Sequence, residues 1–491
     1  MKKLNISWIV VLLAFLVWGC SDSGPTGSET GTASSQKQFV WSAMNFWYYW
    51  QQDVPNLADD RFSSNQELQN YLLGFEDAEA VFNELLYTQA DDFSFFISNY
   101  EEFQQNQQGI SESFGYEYGL LRLSSNSNDI LGYVQYIVPD SPADRQGLER
   151  GDIFLEVDGT QMTVDNYRDL LLGTTSYELS LAEIENNSIS LTGETVALQA
   201  ETLQENPIYT ATTIDTSGSR VGYLMYNGFQ RNSHQNLNDA FGNFQSQGID
   251  ELVLDLRYNG GGSGITSQTL AGMILGLDDS NIFSIYSYNN KRAALDTSVT
   301  ILDEVPIYND QGQQESTEPM NQLSLDRVYI LTGRATASAS EVLINGLEPY
   351  MEVVLVGVQT VGKDEGSYTL YDAPEPYLSE EEANPEHKIA IQPIILKVVN
   401  KNGRAYPFGF EPDHTVDELD YLQNLPPLAT ADDPLLGKAL ELITGQQMAR
   451  VAQPLPNRFG SDFLINSQEL KPYSNGLYLG RKAVANGPMR P

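Results

Sequence analysis

The sequence predicts a multidomain chain of mixed class, α+β in its first part and α/β in its second. Its 491 residues exceed what one ordinary hydrophobic core supports and leave room for two to four domains. Its 41% hydrophobic and 11% aromatic content is that of a globular protein. The apolar pattern also changes along the chain, from helical spacing through strand-rich sequence to alternating strands and helices.

The charge balance narrows the choice of partners. The formal net charge is −39. Nucleic-acid binding needs clustered Lys and Arg to contact phosphates, so the sequence predicts no nucleic-acid partner. With a single Cys, the sequence also excludes disulfides within the chain and zinc sites built from several cysteines.

The first 20 residues have the layout of a secretory signal, with Lys2 and Lys3 before an apolar stretch that ends at Gly19 and Cys20. This layout resembles bacterial lipoprotein signals, so we expect a signal peptide over 1–19 and lipidation of Cys20. The resemblance implies anchoring by this lipid in the bacterial envelope, with the outer membrane favoured, on its periplasmic face or at the cell surface. An ordinary signal peptide or an uncleaved anchor helix is the alternative. Residues 20–38 are rich in Ser, Gly and Thr and predict a flexible tether.

Residues 39–108 are predicted to form a helical domain. Val40, Met44, Trp47 and Trp50 recur at three- and four-residue spacing, as on one face of a helix. We interpret the aromatic run around Trp47 as core packing, with a ligand platform as the alternative.

Residues 109–204 are rich in strands and glycine turns. A strand at 132–138 leads to Ser141-Pro142-Ala143, a strand at 153–157 and a helical stretch at 164–172. This order resembles the PDZ domains of bacterial proteases; a generic β-rich domain is the alternative. The resemblance implies that a peptide adds as a strand, with its terminal carboxylate held by a loop at 114–120. The expected peptide-binding residues are Tyr118, Gly119 and Leu120. The neighbouring Glu117 would oppose an anion if it pointed inward.

Residues 205–445 alternate strands and helices in an α/β manner, with short apolar runs of the buried-strand type at 252–256, 328–331 and 353–356. Residues 446–491 contain several prolines and predict an extended or loosely packed tail.

Three segments of this α/β region carry candidate chemistry. Glycines 260–262 follow a buried strand and leave backbone N–H groups uncovered, which suits an oxyanion or a phosphate. Ser338 and Glu341 fit a helix capping box, but the same position would place the Ser338 hydroxyl at a helix mouth. Lys363 follows an apolar strand and a glycine, so burial could lower its pKa enough for it to act as a base toward a serine. Alone, each segment has a structural explanation.

Together, the segments Asp255-Leu256-Arg257, Ser338-Ala339-Ser340-Glu341 and Gly362-Lys363 resemble the carboxy-terminal processing (tail-specific) serine peptidases, relatives of the tricorn core. The resemblance implies a crotonase/ClpP-like α/β catalytic core. It assigns Ser338 as nucleophile and Lys363 as general base. It places the oxyanion hole at the N–H groups of Ala339 and of Gly261 or Gly262, with Ser340 as a rival nucleophile.

The chain departs from this family at two supporting positions. Pro349 stands where the family often has an Asp, with Glu348 just before it, and Ser367 stands where the family often has a Gln. The three histidines, His234, His387 and His414, fit no Ser-His-Asp triad, and there is no His-Glu-x-x-His motif. We therefore expect no metal and no cofactor.

Two functions follow as hypotheses. The first is a serine endopeptidase with a Ser338–Lys363 dyad, which cleaves proteins or C-terminal peptide segments captured by its PDZ domain. The second is a non-catalytic peptide- or lipid-binding lipoprotein on the same scaffold.

Overall fold

The computed structural model describes residues 30–446 apart from 125, 186–187 and 310–311, and also residues 463–471 and 477–478. The predicted signal peptide, Cys20 and the first part of the tether lie outside the described residues. Among the residues it does describe, no helix combines the length and apolarity needed to cross a bilayer.

The N-terminal part is mainly helical, as predicted for residues 39–108. Its elements are α1 (Thr30–Trp47), α2 (Asn65–Leu72), α3 (Ala78–Glu84), β1 (Phe95–Ile97) and α4 (Tyr100–Gln107). The flexible tether predicted for 20–38 is wrong over 30–38, because these residues are the first half of α1, whose Lys37 is buried against Phe75 O. Trp47 and Tyr48 are buried, which supports the core interpretation of the aromatic run. This core is shared with the α/β part, because Trp47 Nε1 donates to Pro376 O at 2.8 Å and the Tyr49 N–H donates to Ile394 O at 2.8 Å. The helical domain therefore packs directly on the α/β domain.

The PDZ part is an antiparallel sheet with two short helices. Its elements are β2 (Ile110–Ser113), β3 (Tyr116–Arg122), β4 (Ile130–Ile137), α5 (Pro142–Arg145), β5 (Ile153–Val157), β6 (Thr160–Gln161), α6 (Tyr167–Leu171), β7 (Ser176–Glu185), β8 (Ser188–Gln199) and β9 (Glu201–Gln204). The strands run in the order β3-β4-β5-β7-β8. The expected loop at 114–120 is wrong from Tyr116 onward, because these residues form β3, whose Tyr116, Tyr118 and Leu120 are buried in the PDZ core.

The α/β part contains a mostly parallel six-stranded sheet. Its elements are β10 (Ile208–Asp215), β11 (Arg220–Tyr226), α7 (His234–Gln247), β12 (Glu251–Asp255), β13 (Gly262–Ser263), α8 (Gly264–Leu275), β14 (Ile282–Tyr288), β15 (Thr297–Thr300), β16 (Glu304–Tyr308), β17 (Gln314–Pro319), β18 (Arg327–Thr332), α9 (Ala339–Leu347), β19 (Glu352–Gly357), β20 (Glu365–Ser367), β21 (Leu370–Tyr371), β22 (Ala390–Gln392), β23 (Ile394–Val399), β24 (His414–Thr415) and α10 (Pro434–Thr444).

The main sheet has the order β10-β11-β12-β18-β19-β24, and its strands from β11 onward run parallel. The three predicted buried runs are its neighbouring strands β12, β18 and β19. Parallel strands end at one edge of a sheet, and ligands commonly bind beyond that edge. The glycine turn, the Ser338 turn and the loop before Lys363 follow these three strands in turn.

The last described segments are β25 (Phe463–Asn466), α11 (Ser467–Leu470) and β26 (Leu477–Tyr478). The prediction of a loosely packed tail is wrong for 463–471. Leu464, Ile465 and Leu470 pack on the apolar core of the PDZ part, and β25 extends its sheet beside β3. In a second sheet, β26 lies between β13 and β20.

Candidate active site

Ser338 lies on the turn between β18 and α9, at the N-terminal end of a nine-residue helix. Its backbone has φ 60° and ψ −114°, a conformation that residues other than glycine seldom adopt and that costs free energy. The side chain is fully buried. Its Oγ faces the Glu341 N–H in the capping box of α9, but among the described residues no hydrogen bond of ordinary geometry reaches it. A buried hydroxyl without a partner is itself costly, so this turn is built for something other than stability.

Glu341 joins the Ser338 turn to the Lys363 loop. Its Oε2 accepts hydrogen bonds from the backbone N–H groups of Ser338 and Lys363, each at 2.8 Å. The two nitrogens are therefore no farther apart than twice that distance. Its Oε1 accepts from the Gly362 N–H at 2.7 Å and from the Thr360 hydroxyl at 2.5 Å. Glu341 thus supplies its half of the predicted capping box, and it also brings residues 338 and 363 together.

Lys363 is buried, with 1% of its surface exposed. Burial lowers the pKa of its amine to about 8, against the opposing effect of the nearby carboxylates of Glu365, Asp91 and Glu341. Its Nζ lies 4.7 Å from the centre of the Phe93 ring, which belongs to the helical domain. A substantial neutral fraction near physiological pH is the state that a general base requires.

The glycine turn approaches the same helix mouth. At Gly261 an added Cβ would lie 2.8 Å from Ser338 Cβ and 3.0 Å from the Ala339 nitrogen, and φ is +110°. Only glycine fits this approach. The Gly261 N–H donates to Asn259 Oδ1 at 2.9 Å, so in this state it is occupied within the turn. Ala339 is the first residue of α9, where the helix itself offers the N–H no acceptor. Gly262 has φ +129°.

Ser340, the rival nucleophile, has a different environment. Its hydroxyl donates to the Asn259 carbonyl at 3.0 Å, and the Ala337 N–H donates to that same carbonyl at 3.2 Å. Ser340 therefore holds the start of α9 against the glycine turn, a positioning contact that the Ser338 hydroxyl does not make.

A buried network of ion pairs surrounds the residues that directly precede the glycine turn. Arg257 forms bidentate contacts with Asp433, at 2.7 and 2.8 Å, and also binds Asp255. Arg150 of the PDZ part donates to the hydroxyl of Tyr258 at 2.6 Å. Tyr258 directly precedes Asn259, so the PDZ part also contacts the start of the glycine turn. Neither Asp433 nor Arg150 was predicted from the sequence to support the site. Asp433-Pro434 is a helix-start signal that could have located the aspartate, but nothing local indicates its partner.

The two departures from the family pattern have separate surroundings. Glu348 ends α9 and forms an ion pair with Arg404, at the opposite end of the helix from Ser338. The Ser367 hydroxyl accepts from the buried amide of Gln392 at 2.9 Å, so a glutamine from β22 stands beside the position where the family often has one.

The histidines have structural surroundings. His234 is buried between Pro306 O and Thr266 Oγ1, and burial lowers its pKa to about 4. His387 contacts Asp372, and His414 lies in β24. Within the described ranges, no group of three or more His, Cys, Asp or Glu side chains forms a candidate metal site.

The predicted peptide-binding residues lie on β3 of the PDZ part and not at the Ser338 turn. Gly119 and Leu120 pair with β25, and the Tyr118 N–H donates to Ser467 Oγ at 2.9 Å. The outer edge of β3, where a peptide was expected to add, is therefore paired with β25 of the same chain.

Comparison with known proteins agrees with this architecture. Three family models match: the Peptidase S41 N-terminal domain at residues 35–95, a PDZ domain at 133–181 and Peptidase family S41 at 220–416. A solved structure of a Bacteroides fragilis protein assigned to the S41 proteases superposes with a TM-score of 0.64 at 26% identity, and covers 83% of this chain and 97% of that one.

Two curated relatives are named carboxyl-terminal-processing proteases. The one from Picosynechococcus is 29% identical over 252 residues, which cover 49% of this chain and 53% of the relative. The one from Synechocystis is 28% identical over 247 residues, covering 49% and 52%. The chain thus spans about half the length of the curated relatives it matches. It belongs to peptidase family S41 and carries a PDZ domain; the resemblance seen in the sequence is confirmed.

Proposed function

We propose that this chain is a serine peptidase in which Ser338 is the nucleophile and Lys363 the general base. The observation that carries the proposal is the Glu341 carboxylate, which binds the backbone N–H groups of both residues through one oxygen atom. It is supported by the partnerless Ser338 hydroxyl and the lowered pKa of Lys363.

The proposed reaction passes through an acyl-enzyme. The neutral Lys363 amine takes the proton from Ser338 Oγ as the oxygen attacks the scissile carbonyl carbon. The C–N bond then breaks, and the Lys363 ammonium returns the proton to the departing amine. Water, deprotonated by the same amine, then attacks the ester carbonyl. The bond to Ser338 Oγ breaks, the ammonium returns its proton to this oxygen, and the acid product is released. The N–H groups of Ala339 and Gly262 are proposed to stabilise the oxyanion, and Gly261 joins them if its contact with Asn259 opens.

Peptide cleavage by matched variants tests the dyad. Ser338→Ala and Lys363→Met should each abolish cleavage of casein and of a fluorogenic peptide while the melting temperature stays near that of the parent. Lys388→Met removes a surface lysine that pairs with Glu101 and is the control expected to retain full activity. Full activity in either dyad variant refutes the assignment of Ser338 and Lys363. Absence of cleavage by the parent chain favours the alternative, a non-catalytic peptide- or lipid-binding protein.

We also propose that the PDZ part captures protein or peptide substrates and that lipid on Cys20 anchors the chain in the bacterial envelope, at the outer membrane. Capture is supported by the PDZ match and by the pairing of an extended segment, β25, with the edge of β3, which is the way PDZ domains bind peptides. Anchoring is supported by the signal-like sequence before Cys20. A Cys20→Ser variant should leave the membrane fraction and lose the mass of its acyl chains.

A further inference from the structure

The chain's own segment at 463–471 occupies the strand edge where a PDZ domain takes a peptide. The strand β25 runs antiparallel to β3, on the side away from β4. The paired residues are Phe463 with Leu121, Ile465 with Leu120, and Asn466 with Gly119. This is strand addition, the standard mode of peptide binding by PDZ domains, made here within one chain.

Side chains make this contact sequence-specific. Ser467 Oγ accepts from the Tyr118 N–H at 2.9 Å and donates to Glu117 Oε2 at 2.5 Å. Gln135 Nε2 donates to Asn466 Oδ1 at 2.8 Å. The contacts combine backbone pairing with buried polar recognition, so they do not depend on apolar burial alone.

Glu117 sets the charge that this groove accepts. Its carboxylate is 2% exposed, and Lys471 donates to its Oε1. A buried carboxylate needs a cationic partner, because an unpaired charge in a protein interior is costly. A free C-terminal carboxylate placed here would face Glu117 and be repelled. An internal segment with a lysine four residues after a serine fits the groove instead.

The same segment continues into the catalytic part. Leu477 pairs with Gly262 and Tyr478 with Ser263, in parallel, and Tyr478 also pairs with Ser367 of β20. Thus β26 lies between the glycine turn and the strand that follows Lys363. A substrate strand entering between these two elements would meet a position that is already filled.

We propose that the groove along β3 recognises a lysine-containing internal peptide segment through Glu117, that residues 463–471 are its resident ligand, and that this ligand excludes substrate while bound. The exclusion of substrate rests on the proposed function; the occupation of the groove does not. A tethered segment acts at an effective concentration on the order of millimolar, so only a tight competitor or a weakened contact displaces it.

A binding experiment on the full chain tests the groove without using activity. The probe is a fluorescent synthetic peptide with the sequence of residues 461–478, added to the Ser338→Ala chain and to the same chain with Lys471→Glu. In the second chain the tethered segment meets Glu117 with like charge and should leave. We expect the peptide to bind this chain at least tenfold more tightly than the first, by fluorescence anisotropy.

Two further binding experiments test whether the contact between Glu117 and Lys471 determines which peptide binds. A peptide carrying Lys471→Glu should bind neither chain, and adding Glu117→Gln to the Lys471→Glu chain should weaken binding of the parent peptide several-fold. The milder Lys471→Gln chain repeats the test if Lys471→Glu unfolds. Equal binding of the parent peptide to both chains, or no binding to either, overturns the proposal.

Activity gives the second readout. With Ser338 intact, Lys471→Glu should raise kcat/KM for a peptide substrate several-fold, chiefly by lowering KM, and added parent peptide should reverse the gain. Lys401→Glu, at a surface lysine over the Tyr350 ring, is the matched charge control and should leave kcat/KM unchanged. If no chain cleaves substrate, the proposed function fails, while the binding experiment still tests whether residues 463–471 occupy the groove along β3. If cleavage is intact but unaltered by Lys471→Glu, only the exclusion of substrate fails.

Discussion

The amine of Lys363 lies over the ring of Phe93, with 4.7 Å between Nζ and the ring centre. Phe93 belongs to the helical N-terminal domain, whereas Lys363 follows β19 in the α/β domain. The base proposed for catalysis is therefore shielded from water by another domain. This shielding has two opposite effects on Lys363: the ring favours the charged amine through a cation–π contact, and burial favours the neutral one.

The pH dependence of cleavage should report Lys363. Only the neutral amine accepts a proton, so the rate should rise with pH through a value near 8, the pKa of the buried lysine. Below pH 7 the logarithm of kcat/KM should fall with a slope near one, because each decrease of one pH unit lowers the fraction of neutral amine about tenfold. Steady-state kinetics between pH 5.5 and 9.5 measure this. A flat profile across pH 7–9 would contradict the assignment.

Two variants at Phe93 separate the two effects of the ring. Phe93→Ala admits water and should move the rising limb to higher pH, because the charged amine is then better solvated. Phe93→Leu keeps the apolar cover but removes the cation–π contact, worth about 0.5–2 kcal/mol, and should move the limb to lower pH. The shifts are read from the same pH–rate profiles. An unmoved limb in both variants would mean that Phe93 does not shield Lys363.

Glu341→Gln should disrupt the alignment of Ser338 and Lys363. A glutamine offers one carbonyl oxygen and one NH2 group in place of two acceptors, so its nitrogen must face N–H donors. We expect kcat to fall by about a hundredfold or more, and the free energy of unfolding by about 1–3 kcal/mol, from the buried donors left unsatisfied.

The control for Glu341→Gln is Glu348→Gln, the same substitution at the other end of α9, where the carboxylate pairs with Arg404. It should keep kcat near the parent value. Kinetics and urea unfolding together distinguish misalignment from instability. A Glu341→Gln enzyme with parental kcat would show that the shared carboxylate oxygen is dispensable.

Gly261→Ala should impair the glycine turn at the helix mouth. Its Cβ would lie 2.8 Å from Ser338 Cβ, and its φ of +110° is one that alanine rarely adopts. Alanine keeps the backbone N–H, so the effect comes from the clash, which displaces the turn and the Ser338 side chain. We expect kcat/KM to fall by about a hundredfold or more, a loss of the size seen when an oxyanion donor is misplaced or removed. Gly403→Ala has a similar positive φ but open space around the added Cβ, so it should cost stability and leave kinetics unaltered. Equal kinetic effects of both substitutions would argue against a role of the turn in the site.

Much of the catalytic architecture was predictable because it is local. Each of β12, β18 and β19 contains a short apolar run rich in Val, Leu and Ile, which favours a buried strand, and the Ser338–Glu341 spacing indicates a helix start. The pairing of Ser338 with Lys363 came from the resemblance to a family, since no local pattern joins two loops. The contacts of Phe93 with Lys363 and of Arg150 with Tyr258 were missed for the same reason: each joins side chains from separate domains.

Hydrophobic period and capping chemistry act over a few residues, so the three buried strands and the start of α9 in the α/β part follow from the sequence alone. It did not determine that 463–471 would be an ordered part of the PDZ sheet. The proline-rich tail has only the short apolar run Phe463-Leu464-Ile465 in this region, and such a run predicts no ordered strand until an open strand edge is available to pair with it. The order of residues 463–471 depends on tertiary contacts. The edge of β3 and the buried Glu117, which pairs with Lys471, are available only after distant parts of the chain have folded together.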